Sequence, residues 1–183
     1  AGTLTIGGLQ AKTSYTVQLL NGENVRGKMK FKTTEAYPEG YEVITVADGD
    51  NVRTLLQNAA TDKVVVVFPQ GMDFTALGED GKTSAIKIPE NIKSVYFWGA
   101  AGDSKPSVTF KGVSFESSQM DILRFYNLNL KYTGSNDGYV VNQSGTFTLN
   151  SLEMEKCNVQ DIRGIFRFQS IVNSTVNAIK IND

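Results

Sequence analysis

One uninterrupted apolar run, from Val64 to Phe68, most constrains the fold of this chain. Such a run favours a β-strand that is buried on both faces, because a half-exposed strand alternates apolar and polar residues. Pro69 cannot donate a ladder hydrogen bond and ends the strand, and Gly71 suits the turn that follows. The fold must therefore supply apolar cover on both sides of this strand.

A short amphipathic helix is predicted just before the strand, over Asn51 to Ala60. Its apolar residues recur three and four positions apart, at positions 52, 55, 56, 59 and 60. Asp48 or Asp50 is the expected N-cap, and Tyr41 to Val46 alternates like a leading strand. This order fits either the first coil of a β-solenoid or a βαβ unit of a small α/β domain.

The second half of the chain carries an irregular repeat, in which two apolar residues flank a polar one and a turn follows. The central polar residues of its four copies are Lys87, Arg124, Thr148 and Arg167. Coils of roughly 20 to 25 residues match a β-helix repeat, in which each coil buries its inward face only against its neighbours. Asn or Ser stands at the turns, at positions 91, 127, 150, 151 and 170. We expect these side chains to bond backbone groups at sharp bends.

The segment from the predicted helix through the valine run to Gly71, with Phe74 at a tyrosine-like position, resembles the pectate-lyase-like right-handed β-helix superfamily. The resemblance implies a mainly β fold, namely a short right-handed parallel β-helix over residues 48–183. It also implies that the helix plugs the N-terminal end. The chain stops in mid-pattern at Ile181 to Asp183, so we expect further C-terminal sequence, or an oligomer that covers this end.

Residues 1–36 look like the end of a different module. Two alternating segments around an Asn21-Gly22 turn predict a β-hairpin. Tyr15, with a leucine six positions before it, and the later run Phe31-Lys32-Thr33 resemble the tyrosine corner and last strand of a fibronectin type III sandwich. The resemblance implies a partial β-sandwich hairpin. Residues 37–47 then form a linker and the leading strand.

Composition excludes several kinds of site. The chain has no histidine, which excludes Ser-His-Asp and Cys-His catalysis and the usual imidazole zinc sites. The single cysteine, Cys157, allows no intramolecular disulfide and is expected to be a small buried side chain. The net charge of -1 gives no indication of nucleic-acid binding. No apolar run approaches the ~20 residues that span a bilayer.

The four central residues of the repeat are candidate ligand-binding residues. We expect them to form one outward column with rungs ~4.8 Å apart. Three of the four are basic, and a guanidinium group binds a carboxylate of an acidic polysaccharide through two hydrogen bonds. Tyr96, Trp98 and Tyr126 are candidates for stacking on sugar rings. Outward positions of a β-helix are polar in any case, so a purely structural role stays open.

No catalytic constellation is recognised. Pectate-type lyases use an Arg or Lys as base and often calcium bound by Asp, a pattern that Asp161 and Arg163 resemble too weakly to carry a role across. Glycoside hydrolysis needs two convergent carboxylates, which the repeat does not supply. We therefore assign no catalytic residue and expect no metal or other cofactor, although calcium stays open.

The whole arrangement resembles exported bacterial proteins that handle polysaccharides, which implies an extracellular or cell-surface location. Three functions stay open. The first is a non-catalytic module that binds a polysaccharide, with an acidic glycan on the basic column. The others are a fragment of a pectate-type lyase and a structural spacer. The expected partner is a polysaccharide, with no nucleic acid and no membrane-spanning segment.

Overall fold

The computed structural model describes residues 5–33, 35–134, 138–169 and 173–182. It divides the chain into two compact units, residues 1–39 and residues 40–183. The fold is mainly β, with 52% of residues in strands and 4% in helix. The predicted turn residue Ser170 lies outside the described residues.

The first unit contains an antiparallel hairpin of β1 (Ser14–Asn21) and β2 (Asn24–Lys32). The ring of Tyr15 stacks on that of Phe31, with centroids 5.9 Å apart. The Tyr15 hydroxyl also accepts a hydrogen bond from the backbone N–H of Gln10 at 2.8 Å. The predicted hairpin is therefore confirmed, with Tyr15 tying it to the segment that precedes it.

The second unit is a parallel β-solenoid of about four turns. It begins with β3 (Glu42–Thr45) and helix α1 (Val52–Gln57). Coil one holds β4 (Lys63–Phe68), β5 (Asp73–Thr75) and β6 (Ile86–Ile88). Coil two holds β7 (Ser94–Gly99), β8 (Ser107–Phe110) and β9 (Val113–Phe115). Coil three holds β10 (Gln119–Tyr126), β11 (Asn129–Tyr132) and β12 (Tyr139–Ser144). Coil four holds β13 (Thr148–Glu155), β14 (Asn158–Gln160) and β15 (Gly164–Gln169), and β16 (Thr175–Val176) and β17 (Ile179–Asn182) follow.

Equivalent strands of successive coils pair in parallel and form three sheets. Sheet 1 contains the first strand of each coil together with β3, β16 and β17, sheet 2 the second strand of each coil, and sheet 3 the third. On sheet 1, Ser94 pairs with both Lys63 and Ile122, and Ile122 pairs with Ser151. One coil therefore takes more residues than the roughly 20 to 25 expected from the repeat.

The apolar core runs along the solenoid axis inside the three sheets. Val66, Phe97, Phe125 and Met154 occupy successive rungs of one inward column, and the rings of Phe97 and Phe125 stack 5.4 Å apart. Such aromatic pairs contribute roughly 0.5–1.5 kcal/mol beyond the burial of their area. The valine run is strand β4 and is buried on both faces, as predicted.

Helix α1 is shorter than predicted, because it ends at Gln57 rather than Ala60. Its N-cap is Asn51, whose side-chain oxygen accepts from the backbone N–H of Thr54; the prediction of Asp48 or Asp50 was wrong, and Asp50 instead accepts from the N–H of Ala47. Strands β3 and β4, which precede and follow the helix along the chain, pair in parallel. These elements thus form a local βαβ arrangement within a solenoid, and the alternative of a small α/β domain was wrong. That α1 plugs the N-terminal end of the solenoid stays a prediction.

Asparagines stabilise corners between strands, as predicted for Asn127, whereas Asn150 and Ser151 lie within strand β13 and their assignment to a turn was wrong. Asn127 has a positive φ of 54°, and its side-chain N–H donates to the carbonyl of Gly99 in the coil before it. Asn158 donates to Asn129 at 2.8 Å across one rung on the same side of the solenoid. These bonds satisfy backbone and amide groups where the sheets turn.

The last rung has an exposed apolar face. Ile179 and Ile181 continue the inward columns of Leu152 and Met154, yet 51% and 58% of their surfaces are exposed. Both explanations given above, further C-terminal sequence and an oligomer that covers this face, stay predictions. Within the described part of the chain, no helix has the length and apolar character needed to cross a bilayer.

Candidate functional site

The predicted basic column does not exist in the form expected. Lys87 and Arg167 lie on sheet 3, whereas Arg124 and Thr148 lie on sheet 1. Thr148 pairs with Gln119, five residues before Arg124, so even these two occupy different columns. The alignment was wrong because the apolar-polar-apolar pattern marks inward and outward alternation in strands of every sheet and does not identify the sheet.

The outward column of sheet 1 that contains Arg124 has alternating charge. Tyr96, Arg124, Glu153 and Lys180 occupy successive rungs. Arg124 donates to the carboxylate of Glu155 at 2.7 Å and lies 3.8 Å from that of Glu153. Lys180 donates to Glu153 at 2.8 Å. The charge of Arg124 is therefore compensated within the protein.

The three candidate sugar-stacking rings surround the same arginine. The Arg124 guanidinium lies 5.4 Å from the ring centroid of Tyr96, 5.9 Å from Trp98 and 5.6 Å from Tyr126. The rings of Trp98 and Tyr126 are 4.1 Å apart. The three aromatic residues are only 8%, 4% and 6% exposed. Their ring faces thus contact protein, and stacking on a sugar stays a prediction that requires these rings to become accessible.

Two ionisable groups next to Arg124 in its column, Tyr96 and Glu153, have shifted pKa values. Burial raises the pKa of the Tyr96 hydroxyl, and the nearby Tyr41 adds to the rise. Burial also acts to raise the pKa of Glu153, but hydrogen bonds from Lys180 and Ser151 and the positive charges nearby outweigh it, so that this pKa lies below its ordinary value. Glu153 is therefore held as a carboxylate that balances the cations around it.

The other two candidates share one outward column on sheet 3. Lys87 pairs with Ser114, and Arg167 pairs with Asn142. Val113 pairs with Val141, which places Ser114 beside Asn142 and joins the two pairs. We call these four residues the Lys87–Arg167 column. Three rungs separate its ends, a distance of about 14 Å.

The cations of the Lys87–Arg167 column differ from Arg124 in their surroundings. The Lys87 side chain is exposed, and Arg167 is half-buried with its guanidinium 5.4 Å from the ring centroid of Tyr139. Among residues 5–33, 35–134, 138–169 and 173–182, no carboxylate forms an ion pair with either cation. Arg124, in contrast, has two carboxylates within 4.0 Å, those of Glu153 and Glu155.

A groove lies between helix α1 and strand β6, at the coil-one end of this column. We call it the α1–β6 groove; its volume is about 670 Å³, within the range of small-molecule sites. Its walls come from α1, the segment 76–80, strand β6 and Glu116. The polar residues that line it are Asn51, Arg53, Thr54, Gln57, Glu79, Asp80, Ser84, Lys87 and Glu116.

An ion pair borders the groove. Arg53 on α1 binds Glu116 through two parallel contacts, of 2.8 and 3.0 Å, and also donates to the backbone carbonyl of Lys87 at 3.4 Å. Such a two-bond arginine–carboxylate contact fixes geometry as well as charge. The helix is thereby tied to coil two across the outer side of strand β6.

Sequence reasoning did not identify Arg53, Ser114, Asn142 or Glu116. Arg53 is on the polar face of the predicted helix, which marks it as outward but does not name its partner. Glu116 is 63 residues away along the chain, so only the folded coil brings the two together. Ser114 and Asn142 are the polar members of alternating segments, and that alternation was the signal available.

Thr148 and Cys157 are the two remaining residues for which the sequence led to a prediction. Thr148 begins strand β13 and pairs with Gln119 and Thr175, so it belongs neither to the column of Arg124 nor to the Lys87–Arg167 column. Cys157 was predicted to be a small buried side chain; it is partly buried, and this burial raises the pKa of its thiol and favours the protonated form. Across the described residues, no group of three or more Cys, Asp and Glu side chains is arranged to hold a metal ion.

Comparisons with protein-family models, with curated proteins and with solved structures found no match to this chain.

Proposed function

We propose that the second unit is a non-catalytic module that binds a polysaccharide along the Lys87–Arg167 column. The observation that carries the proposal is that Lys87 and Arg167 share a column and lack carboxylate partners in the described chain, whereas Arg124 has two. A cation without a carboxylate partner attracts an anionic ligand more strongly than a paired one, because no protein carboxylate must be displaced first.

An acidic polysaccharide fits this surface best. The column runs along the solenoid axis, so an extended polymer can contact all four of its residues. Arg167 can bind a sugar carboxylate through two hydrogen bonds, and Lys87 acts as a mobile point charge at the other end. Ser114 and Asn142 offer hydrogen bonds to sugar hydroxyls between the two charges.

The proposal also includes the families that the two units resemble and the location of the protein. We place the solenoid with the pectate-lyase-like superfamily and the first unit with fibronectin type III modules, in a bacterial protein at the cell surface or outside the cell. The parallel coils support the first assignment. The bond from the Gln10 N–H to the Tyr15 hydroxyl supports the second, because a tyrosine corner makes such a bond to the upstream backbone.

A structural spacer is the second candidate. The alternating charges of Arg124, Glu153 and Lys180 favour it, because they are satisfied by each other along sheet 1. The amide bonds between Asn129 and Asn158 likewise stabilise the stack without involving a ligand. A spacer and a binding module use the same solenoid, so binding experiments on sheet 3 separate them.

Affinity electrophoresis through gels containing pectate, alginate or a neutral glucan tests the proposal. We expect retardation in the acidic gels, and we expect Lys87→Gln with Arg167→Gln to abolish it. The matched control is Lys63→Gln with Lys131→Gln, which removes the same charge from exposed positions on sheets 1 and 2. Equal loss in both double variants would mean that only net charge is sensed and would overturn the assigned surface. Unsaturated-uronide absorbance after incubation with pectate would instead indicate the lyase.

A further inference from the structure

We propose, on the basis of that function, that the α1–β6 groove holds the end of the polysaccharide, so that the protein recognises chain ends rather than chain interiors. The groove and the Lys87–Arg167 column are continuous, because Lys87 belongs to both. A polymer that follows the column from coil four towards coil one therefore reaches the groove last.

Helix α1 obstructs the path beyond the groove. It packs against strand β6, and its Arg53 side chain extends across the outer side of that strand to Glu116. On another side, the segment 76–80 forms a wall that the side chain of Asn51 ties to the helix region by donating to the carbonyl of Leu77. Neither Ser114 nor Asn142 is among the described residues that line this groove. A chain lying on the column must either end in the groove or leave the surface there.

The groove also has the chemistry that a chain end needs. A terminal sugar exposes at least one hydroxyl more than an internal sugar, and hydroxyls both donate and accept hydrogen bonds. The lining of the groove includes Glu79 and Asp80, whose carboxylates are acceptors, and Gln57, Thr54 and Ser84, whose side chains both donate and accept. The column, in contrast, has a cation at each end, which suits the carboxylates of an acidic chain. The two surfaces therefore suit different parts of one chain.

A length series of pectate oligomers tests the inference by calorimetric titration of the full chain. Chain-end recognition predicts that the dissociation constant per mole of chain stays within about twofold once the oligomer fills the groove and column. Interior recognition predicts that a chain about ten times longer binds about tenfold more tightly per mole, because it offers that many more overlapping sites. Affinity proportional to length would overturn the inference and leave the proposed function standing.

Two bulky substitutions make the same distinction independently. Gln57→Trp narrows the groove from an exposed helix position, and Asn142→Trp obstructs the column from an exposed strand position. Chain-end recognition predicts that each variant abolishes binding of every oligomer. Retained binding in Gln57→Trp alone would place the whole ligand on the column and overturn the inference. Absence of binding by the unsubstituted protein to every oligomer would overturn the proposed function as well. Unchanged thermal unfolding confirms that each variant is folded.

Discussion

The side-chain amide of Gln143 binds both backbone groups of Phe115 in the neighbouring coil. It accepts from the Phe115 N–H at 2.9 Å and donates to the Phe115 carbonyl at 2.9 Å. Gln143 is buried, and strands β9 and β12 pair at Val113 and Val141, two residues earlier. A side chain thus replaces a rung of backbone hydrogen bonds on sheet 3, next to the proposed binding column.

Substitution of this glutamine should destabilise the solenoid. Gln143→Leu keeps a similar size but leaves two buried backbone groups without partners, and we expect a loss of about 2–5 kcal/mol in the free energy of unfolding. Urea unfolding measures it. The control is Ser144→Ala, an exposed neighbour that should change the free energy by less than about 0.5 kcal/mol. Equal, small effects would mean that the strands re-pair without Gln143.

Arg124 should stabilise the fold without contributing to ligand binding. Arg124→Met removes the contacts to Glu153 and Glu155 while keeping an apolar stem among the aromatic rings, and we expect a loss of about 1–3 kcal/mol. Retardation in pectate gels should stay unchanged for the folded variant. Loss of retardation with unchanged unfolding would restore Arg124 as a binding residue and move the site to sheet 1.

Glu153 should make the stability of the solenoid depend on pH. Its pKa in the folded protein lies below the ordinary value of 4.5, so the stabilisation is fully present above that value. It is lost as the pH falls below 4.5 through the folded pKa, because the folded state must then take up a proton against the attraction of Lys180. Urea unfolding at pH 7 and at pH 3 measures the difference, which should be smaller in Glu153→Gln. An identical pH dependence in the variant would assign the effect to other carboxylates.

The sequence predicted elements whose signal is local and missed those that depend on register. The valine run predicted a strand buried on both faces, and strand β4 matches this prediction. The alternation around Arg124 and Lys87 correctly marked both as outward, yet it could not assign them to different sheets, because all three sheets share the period of two. The ion pair of Arg124 could not be predicted either, since its partner Glu155 lies 31 residues away along the chain. Charge compensation across coils becomes visible only when the coil length is known.

The rung that holds Ile179 gives a test within one inward column. Leu152 and Ile179 pair on adjacent rungs, but Leu152 is buried and Ile179 is half exposed. Leu152→Ala should cost about 2–5 kcal/mol, because it leaves a cavity in the packed core. Ile179→Ala should cost roughly half as much or less, since much of its apolar surface already contacts water.

The comparison is made by urea unfolding at two protein concentrations. Equal losses in Leu152→Ala and Ile179→Ala would show that Ile179 is covered in solution. If the loss in Ile179→Ala also grew with protein concentration, the cover would come from a second molecule, because only an association between chains depends on concentration. A small loss that is independent of concentration would instead establish that the last rung faces solvent and would contradict an oligomer built through this end.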